Sequence, residues 1–162
     1  MNPIWYIIIP AIFIGFAIYG VKLMNRDHAK YASPSTQKAL QGFYLDIYNQ
    51  CAAHIDRYES DNNVSVASVY LPKIESFLLR YNNRPDEGNA DQVALTILWN
   101  FTSDALKCGT YHFHVGSLTK EGETLLQFSL HCLETAENAG YISSEDAAEA
   151  RSALFQSIRE AG

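Results

Sequence analysis

Two histidines one residue apart, His112 and His114, come closest to a chemical site by residue type and spacing in this 162-residue chain. They alternate with Tyr111, Phe113 and Val115. An extended backbone would therefore place both imidazoles on one side and the three apolar side chains on the other. Neutral imidazole nitrogens suit zinc and similar ions, so the pair is a candidate metal site, to be completed by a nearby cysteine or aspartate. The competing expectation is structural. The stretch then connects two helices, its aromatic rings plug one end of a bundle, and its histidines face water.

The cysteines do not decide for metal. Cys51 has His54 nearby, Cys108 has His112, and His131 adjoins Cys132. All three cysteines fall on the apolar stripes of predicted helices, where cysteine behaves as a small hydrophobe, and His131 falls off the stripe that carries Cys132. Their spacings match no paired-cysteine zinc signature, and an odd, sparse set is not a disulfide framework. Free thiols fit a reducing compartment.

Adjacent carboxylates occur at Asp86 and Glu87 in a loop, and at Glu145 and Asp146 in the first turn of a helix. In the second position acids favour the helix dipole. Neither pair separates an acid from a base. There is no GxSxG, P-loop or GxGxxG sequence. No cofactor is expected, and the expectation leans against an enzyme.

The elements that would position these residues read as helices throughout. Ser33 and Pro34 make a helix start. Leu40, Phe43, Tyr44, Ile47, Cys51, His54, Ile55 and Tyr58 then form one stripe at three- and four-residue spacing, to about Ser60. After the break at Asp61, Asn62 and Asn63, a second helix carries Val66, Tyr70, Ile74, Phe77 and Tyr81, with Pro72 kinking it. Residues 82–88 are a loop. Asn89 caps a third helix, with Gln92 in a capping-box position. Its apolar face is wide, which makes it central, and Gly109 stops it. Thr119 caps a fourth helix ending at Gly140, and Ser143 with Asp146 opens a shorter fifth. The fold class expected is all-α: an antiparallel bundle of four to five helices over residues 33–162.

Ahead of that bundle, residues 4–21 contain no charged side chain, and the apolar run continues to Met24. Some 20 residues at about 1.5 Å rise reach roughly 30 Å, the thickness of a hydrocarbon core. Trp5 and Tyr6 stand at one end of the run, with Tyr19 and Lys22 at the other, as interfacial anchors do. A cleaved signal peptide would need a basic start and a small-residue cleavage site, and residues 1–24 carry neither. They are expected to be a single retained transmembrane helix, with residues 25–32 as a juxtamembrane linker. Ala11 and Gly15 form a small-xxx-small pair that would let a second helix approach closely.

Charge sets orientation and partners. Lys22, Arg26 and Lys30 against Asp27 leave +2 on residues 1–32, and with −6 on the whole chain residues 33–162 carry −8. The positive flank after the span places the N-terminus outside and the bundle in the cytoplasm. A domain this acidic repels phosphate backbones, which excludes nucleic acid as a partner. It should repel anionic headgroups too, and so be held off the bilayer. Ten tyrosines exceed the needs of one small core. Tyr48, expected to be exposed beside its stripe, is therefore a candidate interaction residue with Trp99 and Tyr111.

The function expected is a membrane-anchored, non-enzymatic interaction module. Its partners would be the lipid bilayer and other membrane or cytoplasmic proteins, self-association included. The alternative is a metal-binding sensor or metal-dependent enzyme using His112 and His114. A third reading is a small-ligand sensor with its pocket at the bundle end near Trp99 and Tyr111.

Overall fold

The computed structural model describes residues 34–81, 88–109, 111 and 118–161. Among them the chain is helical and contains no strand. A short helix, α1 (Pro34–Ala39), precedes five long ones: α2 (Gly42–Asn62), α3 (Ala67–Tyr81), α4 (Ala90–Lys107), α5 (Lys120–Asn138) and α6 (Ser144–Ala161). No helix of the described residues is long and apolar enough to cross a membrane. The anchor residues Trp5, Tyr6, Ala11, Gly15, Tyr19 and Lys22, and the histidines His112 and His114, lie outside the described residues.

The first predicted helix is two. Leu40 closes α1 by bonding its N–H to the Thr36 carbonyl at 2.8 Å. Gln41 then runs extended, and Gly42 takes φ +55°, a value that side chains with a Cβ rarely adopt. The periodicity hid the break because Leu40 is fully buried and continues the α2 stripe of Tyr44, Ile47, Cys51 and Ile55. Asn63, at φ +53°, ends α2 in the left-handed conformation asparagine tolerates, so the helix takes in Asp61 and Asn62 beyond the end expected near Ser60.

Helix α3 begins at Ala67 and continues through Pro72. Pro72 is its sixth residue, so the N–H it lacks would have bonded the Ser68 carbonyl. Both Ser68 and Pro72 are exposed, and water can take up that carbonyl. The start of α3 is held from a distance. The Glu59 carboxylate of α2 accepts the backbone N–H of Val66, and that of Ala67 at 2.7 Å.

Helix α4 is central, packing against α2, α5 and α6. Its buried face carries Ala94, Leu95, Ile97, Leu98 and Leu106, and also Thr102 and Ser103. Thr102 donates to the Leu98 carbonyl at 2.7 Å, and its hydroxyl pairs at 3.0 Å with that of Ser129 on α5. Two small polar residues facing each other let these helices approach with their polar atoms satisfied. Across that contact stands Phe128, fully buried, with the Tyr58 ring 4.8 Å from its own.

The helix ends follow the sequence closely. Asn89 accepts the N–H groups of Asp91 and Gln92, and Thr119 that of Gly122. After α5, Gly140 at φ +75° donates to the Glu137 carbonyl and Tyr141 to that of Ala136, a Schellman pattern. Ser143 accepts the Asp146 N–H at 3.1 Å ahead of α6. That last helix has 18 residues, so it is not the shorter element expected. Cys108 caps α4 and is exposed, whereas Cys51 and Cys132 are buried.

Replacing Glu59 by alanine leaves the first N–H groups of α3 without their acceptor. Loss of such a cap should cost about 1–2 kcal/mol, read as a lower midpoint when the detergent-solubilised full chain is unfolded by heat. Hydrogen exchange should show the first turn of α3 losing protection first.

Candidate functional site

The tightest cluster of polar side chains joins three elements. Helix α2 carries His54 on its buried stripe, one turn after Cys51, and leaves it 7% exposed. The first turn of α4 supplies Asp91, two residues past its cap. The turn at Gly140 reverses the chain after α5 and brings Tyr141 back to α4. His54 Nε2 lies 2.6 Å from Asp91 Oδ1, and the Tyr141 hydroxyl donates to Asp91 Oδ2 at 2.9 Å. Gln92 reaches the Tyr141 carbonyl at 3.5 Å. Its side chain thus faces the α5–α6 turn, where a capping box would have turned it back to its own helix start.

Burial pushes the Asp91 carboxyl up. Hydrogen bonds to His54 and Tyr141 and the charges of His54 and Arg57 outweigh that, leaving it below the usual carboxylate range. Asp91 is therefore the ionised acceptor, and Nε2 carries the proton between the two groups.

A carboxylate-held imidazole is one half of a general base. The other half is not assembled here. Among the described residues His54 has no hydrogen-bond partner besides Asp91. Cys51 turns its thiol to the Ala94 carbonyl at 3.7 Å, and burial raises that thiol far above its ordinary range, as it does for Cys132. Neither is a thiolate nucleophile. What the cluster does is fasten α2, α4 and the α5–α6 turn together.

His131 lies beside this cluster, its ring 5.1 Å from that of Tyr58. Burial lowers its pKa, helped by His54 and Arg57 and opposed by Glu134 and Asp61. It lines an open hollow of about 520 Å³ with Tyr58, Asn62, Lys120, Gln127 and Glu134. A neighbouring trough of about 440 Å³ shares Val64, Lys120 and Thr124 with it, and adds Val69, Tyr70 and Tyr111. A third hollow, of about 360 Å³, is apolar and lies among Phe43, Ile47, Phe77, Tyr81, Val93 and Ile97.

The interaction candidates are dispersed. Tyr48 is 7% exposed, which corrects its expected exposure. Its hydroxyl is raised in pKa by burial, then by Glu75 of α3 and by Cys51, so α3 stands over the edge of the α2 stripe. Trp99 and Tyr111 are half-buried against the core, and Trp99 does not line the trough that holds Tyr111. The Tyr111 carbonyl accepts the Thr119 N–H at 2.8 Å. A Cβ on Gly122 would come within 2.7 Å of the Tyr111 Cβ, so glycine there sets how closely Tyr111 sits on α5. Among the described residues no three of His, Cys, Asp and Glu gather as metal ligands.

Sequence reading placed His54 in the core but missed Asp91 and Tyr141. The available signal was a histidine on an apolar stripe, which needs a buried partner.

No family model matches the chain, and neither comparison with curated proteins nor comparison with solved structures finds a match.

Removing the Asp91 charge with Asp91→Asn strands the buried His54 and should cost about 1–3 kcal/mol. The pH dependence separates the two titrating groups. Asp91 is depressed in the folded state, so its contribution is complete above the unfolded value near ~4 and is lost as pH falls through the lower folded value. His131 is also depressed, so below about 6.5 the unfolded chain takes up that proton more readily. Stability should therefore fall as pH drops below that value. His131→Gln should flatten the second slope and leave the first, in unfolding curves recorded across pH.

Proposed function

We propose that this chain is a membrane-anchored, non-enzymatic protein-interaction module. Residues 1–24 cross the bilayer with the N-terminus outside, and residues 25–32 link them to the bundle. The antiparallel helical bundle of residues 33–162 works on the cytoplasmic side as a subunit or adapter of a larger membrane-associated assembly. The observation that carries this reading is the uncharged run of residues 4–21, followed at once by Lys22, Arg26 and Lys30. No helix of the described residues is apolar and long enough to cross a membrane, and the run lies outside them.

Two features of the bundle support an interaction role. Its best-organised polar clusters, His54 with Asp91 and Tyr141, and Thr102 with Ser129, bridge helices. Its surface meanwhile keeps large apolar side chains in view, at Val69, Leu79, Tyr81 and Phe155.

Alkaline carbonate extraction should leave the full chain in the membrane pellet. Light scattering in mild detergent should give a protein mass above that of one chain, with a second copy or another protein in fixed ratio. Recovery in the alkaline supernatant, or a strict monomer, overturns the reading.

A further inference from the structure

Net charge conceals an uneven distribution. Helices α2, α4, α5 and α6 each carry more acidic than basic residues. Helix α1 has Lys38 and no acid, and α3 has Lys73 and Arg80 against Glu75 alone. These two basic helices are neighbours: Thr36 of α1 donates to the Glu75 carboxylate at 2.9 Å. The pair α1 and α3 is therefore net cationic within an acidic bundle.

The outer face of α3 is also apolar. Tyr70, Ile74 and Leu78 turn α3 inward. Val69, Pro72, Ser76 and Leu79 recur at three- and four-residue spacing on the opposite face, all exposed. Val69 retains 46% and Leu79 43% of their surface, values that mark them as projecting rather than grazing solvent. Lys73 and Arg80 line one edge of that stripe, with the Lys73 ammonium 5.5 Å from the centre of the Tyr70 ring, and Glu75, which holds Thr36 of α1, lies along the other. Exposed apolar side chains beside a row of cations suit a helix lying at a lipid headgroup boundary.

Chain continuity names the occupant. Only nine residues, 25–33, lie between Met24 and Pro34, a reach of at most roughly 35 Å. Lys22, Arg26 and Lys30 continue the positive charge along that path. On the anchored reading, α1 and the helix it docks on are the first parts of the bundle the chain reaches after leaving the bilayer.

We infer that the outer face of α3, with Val69, Pro72 and Leu79 beside Lys73 and Arg80, rests on an anionic lipid surface, that of the bilayer entered by residues 4–24. This rests on the anchor proposed above and reverses one expectation drawn from total charge, since the acidic helices can face away while the cationic pair meets the headgroups. Opposite charge draws the face to the surface, salt weakens that attraction, and the apolar side chains hold it there.

Spin labels on the full chain test it, at Val69→Cys or Leu79→Cys, with Phe155→Cys on α6 as the control and Cys108→Ser removing the exposed native thiol. In vesicles of phosphatidylcholine with phosphatidylglycerol, labels on α3 should collide several-fold more with oxygen, relative to a water-soluble nickel chelate, than the label on α6. The difference should shrink in phosphatidylcholine alone, in high salt, and on adding Lys73→Glu and Arg80→Glu. If the chain floats with the vesicles but its α3 labels stay aqueous, the α3 face is overturned and the anchor stands. Immobilisation of those labels regardless of lipid charge indicates a protein partner or a second copy, and also overturns it. A chain that fails to float overturns both readings.

Discussion

Helix α4 is packed on three sides, and most of the bundle's structure follows from how that is made tolerable. A helix between α2, α5 and α6 has little perimeter left for polar atoms, so those it carries must find partners in neighbouring elements. Thr102 finds Ser129 on α5. The Ala94 carbonyl, already within the helix ladder, also takes the Cys51 thiol from α2. Asp91 takes His54 from α2 and Tyr141 from the α5–α6 turn. Each of these bonds fixes the rotation of a neighbour about its own axis, which burial of aliphatic side chains alone would leave loosely specified.

Elements built from local pattern were readable in the sequence. Asn89, Thr119, Gly140 and Ser143 mark helix boundaries because capping involves residues two to five positions apart. The central place of α4 was readable from the width of its apolar face. What escaped reading acts over longer separations or leaves the period unchanged. The break at Gly42 falls between Leu40 and Tyr44, which keep helical spacing across it. Glu59 caps a helix that begins eight residues later. Asp91 and Tyr141 are 50 residues apart, and nothing local to either announces the other. Tyr48 sits at the edge of a stripe, where only the placement of a neighbouring helix decides burial, and α3 decides it. The metal candidates His112 and His114, and the anchor itself, lie outside the described residues, so their standing rests on the sequence pattern.

Summing charge over the chain gives an incomplete picture. A net of −6 disfavours nucleic acid wherever the acids lie. It says little about a particular surface, because the Debye length in physiological salt is about 8 Å, shorter than the breadth of a small domain. For a small domain, the arrangement of charge helix by helix is the physically relevant description.

The left-handed residue Gly42 has a mechanical side. A continuous helix from Pro34 to Asn62 would behave as a rod, passing any pull on the N-terminal side directly into the core through α2. The extended Gln41 and the positive φ of Gly42 interrupt that rod. A pull therefore meets the contacts of α1 before the α2 ladder, the buried Leu40 and the Thr36–Glu75 bond among them. The mechanical separation of α1 from α2 thus rests on one residue that lacks a side chain.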